Sequence, residues 1–262
     1  MARHRGRYQP QKIEPYELSR SKIEGWLKCE GCFWLDRVRG VKFPSFPPFN
    51  INSLTDKLLK REFDDYRGKN PIPWITEQGW PNLIPYDHEN LENWTDSLHF
   101  GSSPDKFNTI HKETNILFGG GIDDMMINRD TEKIHLVDFK STAQLGANPS
   151  PINLEGKWKQ GYKRQMDMYL WIGKRKGLPM SNDCFFLYVD GKHEGLTGMG
   201  LGKSSLPKLE FTPSWIHYAA NDEWVDPTLF RVKETLHKEE CPSHDSDCEY
   251  ALFLNGVKSL AS

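Results

Sequence analysis

No run in this sequence is long and apolar enough to cross a bilayer. Cysteine is sparse, five in 262 residues, so a disulfide scaffold is not indicated. Net charge is also nearly absent, with 34 Lys and Arg against 36 Asp and Glu. Bulk charge therefore gives no reason to expect nucleic acid, and any such partner must be held by local patches. The opening MARHRGRYQPQK is basic, yet no apolar stretch follows it as it would in a secretory leader. The expectation is a cytoplasmic, reducing setting with no membrane partner, where cysteines are free or metal-bound.

Hydrophobic residues make up 37% and charged residues 27%, which fits a globular chain and excludes a collagen-like or wholly disordered one. No internal repeat is visible. The reading is a basic flexible arm over 1–17 and a single domain over 18–262. Within it come a helical part (about 18–110), a catalytic core (about 112–195) and a C-terminal helical, Cys-containing tail (about 205–262). Ser21 and Glu24 form a capping box that predicts a helix over 22–39, ended by Gly40. FPSFPPFN breaks structure, and INSLTDKLLKREFDDYR then places Leu54, Leu58, Leu59, Phe63 and Tyr66 on one helical face. Loops with one short helix are expected over 70–110. A hairpin follows, from 116–127 through NRDTEK to IHLVDFKST. The spacing next predicts a helix over 158–176 ended by Gly177, a buried strand from Cys184, and the glycine-rich turn GKHEGLTGMGLGKSS. A last helix is capped by Asp226, with Pro227 in its first turn, and reaches His237. The order is that of a mixed α/β fold with a helical N-terminal part.

The chemistry centres on Asp123, Asp138 and Lys140. Asp138 and Lys140 are two apart on a predicted strand, so they leave the same face. If the preceding segment is the partner strand, Asp123 lies beside Asp138. Two carboxylates and an ammonium suit metal-assisted phosphodiester hydrolysis. Mg²⁺ or Mn²⁺ prefers oxygen ligands, and the Phe139 carbonyl is a further candidate. Asp-x-Lys is also a common solvated surface pattern. The apolar flanks Leu136, Val137 and Phe139 argue instead for burial, and buried charges need partners. Gln165 and Tyr169, at i and i+4 on the next helix, share a face and can reach the same site. Asp124 should point to the opposite side, in a structural role.

The order of these motifs resembles the PD-(D/E)XK nuclease superfamily, in its RecB-like and CRISPR-associated exonuclease branch. LSRSKIEGWLKCEGCFWL resembles that branch's N-terminal Ser-x-Ser…Cys-Pro…Phe segment, and GGGIDD its Gly-x-Ile-Asp motif. VDFKST resembles its Asp-Tyr-Lys-Thr motif, and RQMDMYLW its Gln-x-x-x-Tyr motif. The resemblance implies a restriction-endonuclease-like mixed sheet core flanked by helices. It makes Asp123 and Asp138 metal ligands, Lys140 the catalytic lysine, and Gln165 and Tyr169 substrate-positioning residues. The implied activity is metal-dependent hydrolysis of DNA, as an exonuclease on single-stranded ends, in repair, recombination or defence. The alternative is a catalytically weak or inactive DNA-binding or scaffold subunit of the same fold. The branch usually carries a His on the helix before the core. Here the matching position is Asp56, either a metal ligand or a helix-surface charge, with Glu62 a weaker substitute.

Relatives in that branch often hold an iron–sulfur cluster through cysteines from both ends of the domain. Cys29 and Cys32 form a CxxC on the predicted first helix, and Cys241 and Cys248 lie near the C-terminus. Four thiolates suit a [4Fe–4S] cluster or Zn²⁺, with His244 a competing zinc ligand; the cysteines can equally pack as small hydrophobes. Cys184 reads as core. Arg3, Arg5 and Arg7 can meet phosphates or simply be solvated. Lys157, Lys159, Lys163 and Arg164 surround the start of the Gln165 helix and suggest phosphate tracking. Trp158 is either a base-stacking platform or a core anchor. His135 is not read as a ligand.

Overall fold

The computed structural model describes residues 6–44, 49–96, 103–144, 150–192 and 209–261. Arg3, Arg5, half of the proline-rich stretch and most of the glycine-rich turn lie outside them. Among the described residues, no helix is long and apolar enough to cross a membrane.

The chain forms a mixed α/β fold with two mixed sheets and flanking helices. Strand β1 (Tyr16–Ser19) runs parallel to β4 (Ile116–Gly119), which pairs antiparallel with β3 (Asn108–His111). The larger sheet has the order β2-β5-β6-β7-β8. These strands are β2 (Leu83–Pro85), β5 (Asp124–Asn128), β6 (Ile134–Thr142), β7 (Asp183–Gly191) and β8 (Phe211–Ala219). The expected hairpin is β5–β6, in a register that sets Asp124 opposite Val137. Among the described strands of this sheet only β6 and β7 pair in parallel, and α6 (Gln160–Arg175) lies between them in sequence. A parallel pair needs such a crossover, and this one lays α6 over the sheet.

Alternation along β6 divides the core. Leu136 packs on the α6 side with Met166, Leu170 and Phe186. Val137 and Phe139 pack on the other, against Phe63 of α3 (Asn50–Tyr66), Ile75 of α4 (Pro73–Glu77) and Leu83. With period two, Asp138 and Lys140 share the α6 face. That places them beneath Gln165 and Tyr169.

Several elements differ from the sequence reading. The first helix is not continuous. It runs as α1 (Arg20–Lys28), is broken by extended backbone at Cys29, and resumes as α2 (Glu30–Trp34) with a π-helical turn Leu35–Arg39. Gly40 ends it at φ +76°, as expected of a residue in the left-handed region. The N-cap is Ser19 rather than Ser21, and the two hydroxyls bond each other at 2.9 Å. On α3 the buried stripe is Thr55, Leu59, Phe63 and Tyr66, while Leu54 and Leu58 are exposed, so the face is turned by one position. Residues 70–110 contain two short helices, α4 and α5 (Leu91–Thr95), all of β2 and most of β3. The segment 116–127 is not one strand: its start joins the smaller sheet, and the glycines at 119–121 carry the chain from one sheet to the other. Strand β8 was not anticipated. Helix α7 (Val225–His237) starts two residues early, with Trp224 at its N-cap, so Asp226 is not its cap; its carboxylate accepts from Trp171 Nε1 and Arg175 instead.

Candidate active site and metal centre

Asp123 immediately precedes β5, and its Oδ2 accepts the backbone N–H of Phe139 at 2.7 Å. Asp138 on β6 is buried; its Oδ1 accepts from Gln165 Nε2 at 2.6 Å, and its Oδ2 is ion-paired with Lys140. The Lys140 ammonium also lies 3.4 Å from the Phe139 carbonyl oxygen and 4.8 Å from the centre of the Tyr162 ring. Tyr169 donates its hydroxyl hydrogen to Gly121 O at 2.7 Å. Gly120 makes this approach possible, since a Cβ there would stand 2.7 Å from that hydroxyl oxygen. The structure thus brings Asp123, Asp138, Lys140 and Gln165 into one cluster, with Asp138 and Gln165 buried, Asp123 and Lys140 half-buried, and Tyr169 anchored on the loop that delivers Asp123.

Burial, then the Asp138 charge, pushes the Asp123 carboxyl up to about 6, despite the opposing fields of Lys140 and Lys60. Lys140 is held above the usual ammonium range: burial opposes this, but Asp138 and Asp123 outweigh it.

Asp56 is paired with Lys60 at 3.1 Å on α3. The Lys60 charge acts on Asp123. Thr55, one position earlier, faces the sheet and hydrogen-bonds Ser141. Glu62 is exposed. Asp124 takes the structural role expected of it, held by two guanidinium nitrogens of Arg67 at 3.0 and 2.8 Å.

A second cluster joins the two chain ends. The backbone break at Cys29 lets its Sγ accept the Cys32 N–H at 3.4 Å, folding the CxxC into a knuckle. His244 Nδ1 lies 3.3 Å from Cys29 Sγ, 3.4 Å from Cys32 Sγ and 3.9 Å from Cys248 Sγ. Cys32 and Cys248 sulfurs are 3.3 Å apart. One tetrahedral zinc with ordinary bond lengths sets its S and N ligands about 3.5–3.8 Å apart. The set Cys29, Cys32, His244 and Cys248 can therefore hold a metal such as Zn²⁺. Burial, with Cys248 and Cys29, holds the Cys32 thiol well above its ordinary range, as expected for thiols crowded together. Gly31 lies inside the knuckle, and a Cβ there would stand 2.7 Å from the Pro242 carbonyl.

Cys241 stands apart, which corrects the four-thiolate set. It is exposed, and its thiol faces the carbonyls of Gly31 and Pro242 at 3.8 and 3.4 Å. The turn between Cys241 and Cys248 brings the imidazole inward instead. His244 and Cys248 have an i, i+4 spacing, and that was the available signal. Cys184 is fully buried in the core.

The basic patch at the start of α6 is largely consumed by internal partners. Lys157 pairs with Asp247, Lys159 donates to Tyr188 at 2.8 Å, and Arg164 bonds both Glu24 oxygens. Trp158 is 84% exposed, so it is not a core anchor. His135 is buried, its Nδ1 bonded to the Asp183 carbonyl.

No protein-family model, curated protein or solved structure matches the chain. Its function has to be read from its own residues.

Proposed function

We propose that this chain is a Mg²⁺- or Mn²⁺-dependent DNA nuclease with the restriction-endonuclease-like core of the PD-(D/E)XK superfamily, in its RecB-like branch. Its substrate would be DNA with single-stranded ends. The observation that carries the reading is the gathering of Asp123, Asp138, Lys140 and Gln165 in one cluster.

The donor set suits a hard divalent cation. Two neighbouring carboxylates repel each other, which together with desolvation raises the Asp123 carboxyl, and a cation relieves that repulsion. Asp123, Asp138 and the Phe139 carbonyl would hold it. When bound, Mg²⁺ or Mn²⁺ supplies Lewis acidity to a phosphate oxygen and acidifies water. The chain's own groups do the rest. Gln165 fixes the orientation of Asp138. Lys140 neutralises charge developing on the phosphate oxygens. Tyr169 holds the glycine loop, and with it Asp123, in place.

The Cys₃His set is the chain's second metal centre in this reading. It would bind Zn²⁺ as a staple between the chain ends, because a [4Fe–4S] cluster would call on Cys241 for the fourth thiolate. The alternative of a non-cleaving DNA-binding or scaffold subunit draws on one observation: Asp56 is occupied by Lys60, where the branch has a His. Incubation of end-labelled single- and double-stranded DNA with Mg²⁺ or Mn²⁺ separates the two. Shortened products that disappear with EDTA support the nuclease, and intact DNA with retained binding supports the alternative.

A further inference from the structure

Arg20 is absent from the motif set, yet it sits at the cluster. It is the first residue of α1, directly after Ser19, which pairs with Gly119 at the start of the glycine loop leading to Asp123. Its guanidinium interacts with the Tyr169 hydroxyl, and its charge acts on the Lys140 ammonium. Four arginines of this fold are neutralised: Arg37, Arg67, Arg164 and Arg175 each pair with a carboxylate. Arg20 has no such pair among the described residues. Its Nε is buried and has no hydrogen-bond partner. A buried donor without an acceptor is costly, and two cations side by side are costly as well. Both penalties vanish if an anion with several acceptor oxygens enters the site.

We propose that Arg20 is the phosphate-binding cation of this site, its Nε–H and guanidinium edge holding non-bridging oxygens of the target phosphodiester across from Asp123 and Asp138. The proposal rests on the nuclease reading for the identity of that phosphate. The division of labour follows from the pairings. Lys140 is ion-paired with Asp138 and acts on the charge that develops during reaction, whereas Arg20, with no carboxylate partner among the described residues, can hold the phosphate from the start. Tyr169 sets where the guanidinium lies. A planar guanidinium offers two parallel N–H bonds to phosphate, which an ammonium cannot.

The test compares wild type with Arg20→Met and Arg20→Lys. Affinity for a short single-stranded oligonucleotide is measured with Ca²⁺, and kcat and KM with Mn²⁺. The Mn²⁺-induced shift in Tm reports whether the carboxylates are intact. The expectation for Arg20→Met is about tenfold weaker binding and a kcat about 10²–10³ lower, with the Mn²⁺ shift retained. Arg20→Lys should regain part of the binding and little of the kcat. Binding and kcat of Arg20→Met at wild-type level would overturn the inference while leaving the nuclease reading standing. If wild type itself cleaves nothing, that reading fails, and the oligonucleotide affinity alone decides for or against a phosphate contact at Arg20. Should Arg20→Met not fold, Arg20→Lys decides: wild-type kcat and affinity there would show that no guanidinium is needed.

Discussion

Stripping the Cys₃His centre should release the C-terminal segment from the rest of the chain. The centre links Cys32 to His244 across 212 positions. In the chain-entropy account, closing a loop of that size restricts the unfolded chain by about 5 kcal/mol. That figure is an upper bound, since the staple joins a terminal segment. At about 2–4 °C per kcal/mol for a chain of this size, Tm should fall by as much as roughly 10–20 °C on chelation. Three assays read it together: zinc content per chain, Tm with and without chelator, and trypsin cleavage after Lys238. Wild type should carry one zinc per chain. Cys32→Ala and His244→Ala should carry much less and open the Lys238 site, while Cys241→Ala should behave as wild type. Loss of metal in Cys241→Ala with retention in His244→Ala would refute the Cys₃His assignment in favour of four thiolates. An unchanged Tm on chelation would refute the staple.

Further outcomes follow from the same geometry. The Asp123 carboxyl is raised from 3.8 to about 6 by burial and by Asp138, so this group favours the metal-free fold below its unfolded value and loses that contribution as pH climbs through about 6. The loss amounts to roughly 3 kcal/mol. Metal-free Asp123→Asn should therefore have a higher Tm than wild type at pH 8 and not at pH 4, and Mn²⁺ should stabilise wild type more as pH passes 6; a lower Tm for the variant at pH 8 contradicts this. Gly120→Ala would place a Cβ 2.7 Å from the Tyr169 hydroxyl oxygen. It should cost about 1–3 kcal/mol in urea unfolding and depress activity with it. Arg67→Ala leaves Asp124 buried without its counter-ion, at about 3–5 kcal/mol, and the added change Asp124→Asn should recover much of that.

How far the sequence could be read depended on how local each signal was. The β5–β6 hairpin was legible because period-two alternation and NRDTEK are local. The shared face of Asp138 and Lys140 followed from the same period. Gly40 and Gly177 announced helix ends because both need positive φ. The break at Cys29 was hidden, since Ile23, Trp26, Phe33 and Trp34 keep a helical rhythm across it. The split of 116–127 between two sheets was equally hidden, because pairing partners such as Tyr16 lie a hundred residues away. At the site, paired acids and lysine stood out by type. His244 reads in the sequence only as a competing ligand, because CxxC draws attention to cysteine partners. Arg20 carried no local signal: its isolation from carboxylates exists only in three dimensions.

The account turns on hydrolysis at the Asp123–Asp138–Lys140 cluster. Its most direct measurement is degradation of end-labelled single-stranded DNA with Mn²⁺ by wild type and by Asp138→Asn, each checked for an intact fold by circular dichroism. Products should form with wild type and none above background with the variant. Equal cleavage by both proteins, or intact DNA with folded wild type, would contradict it.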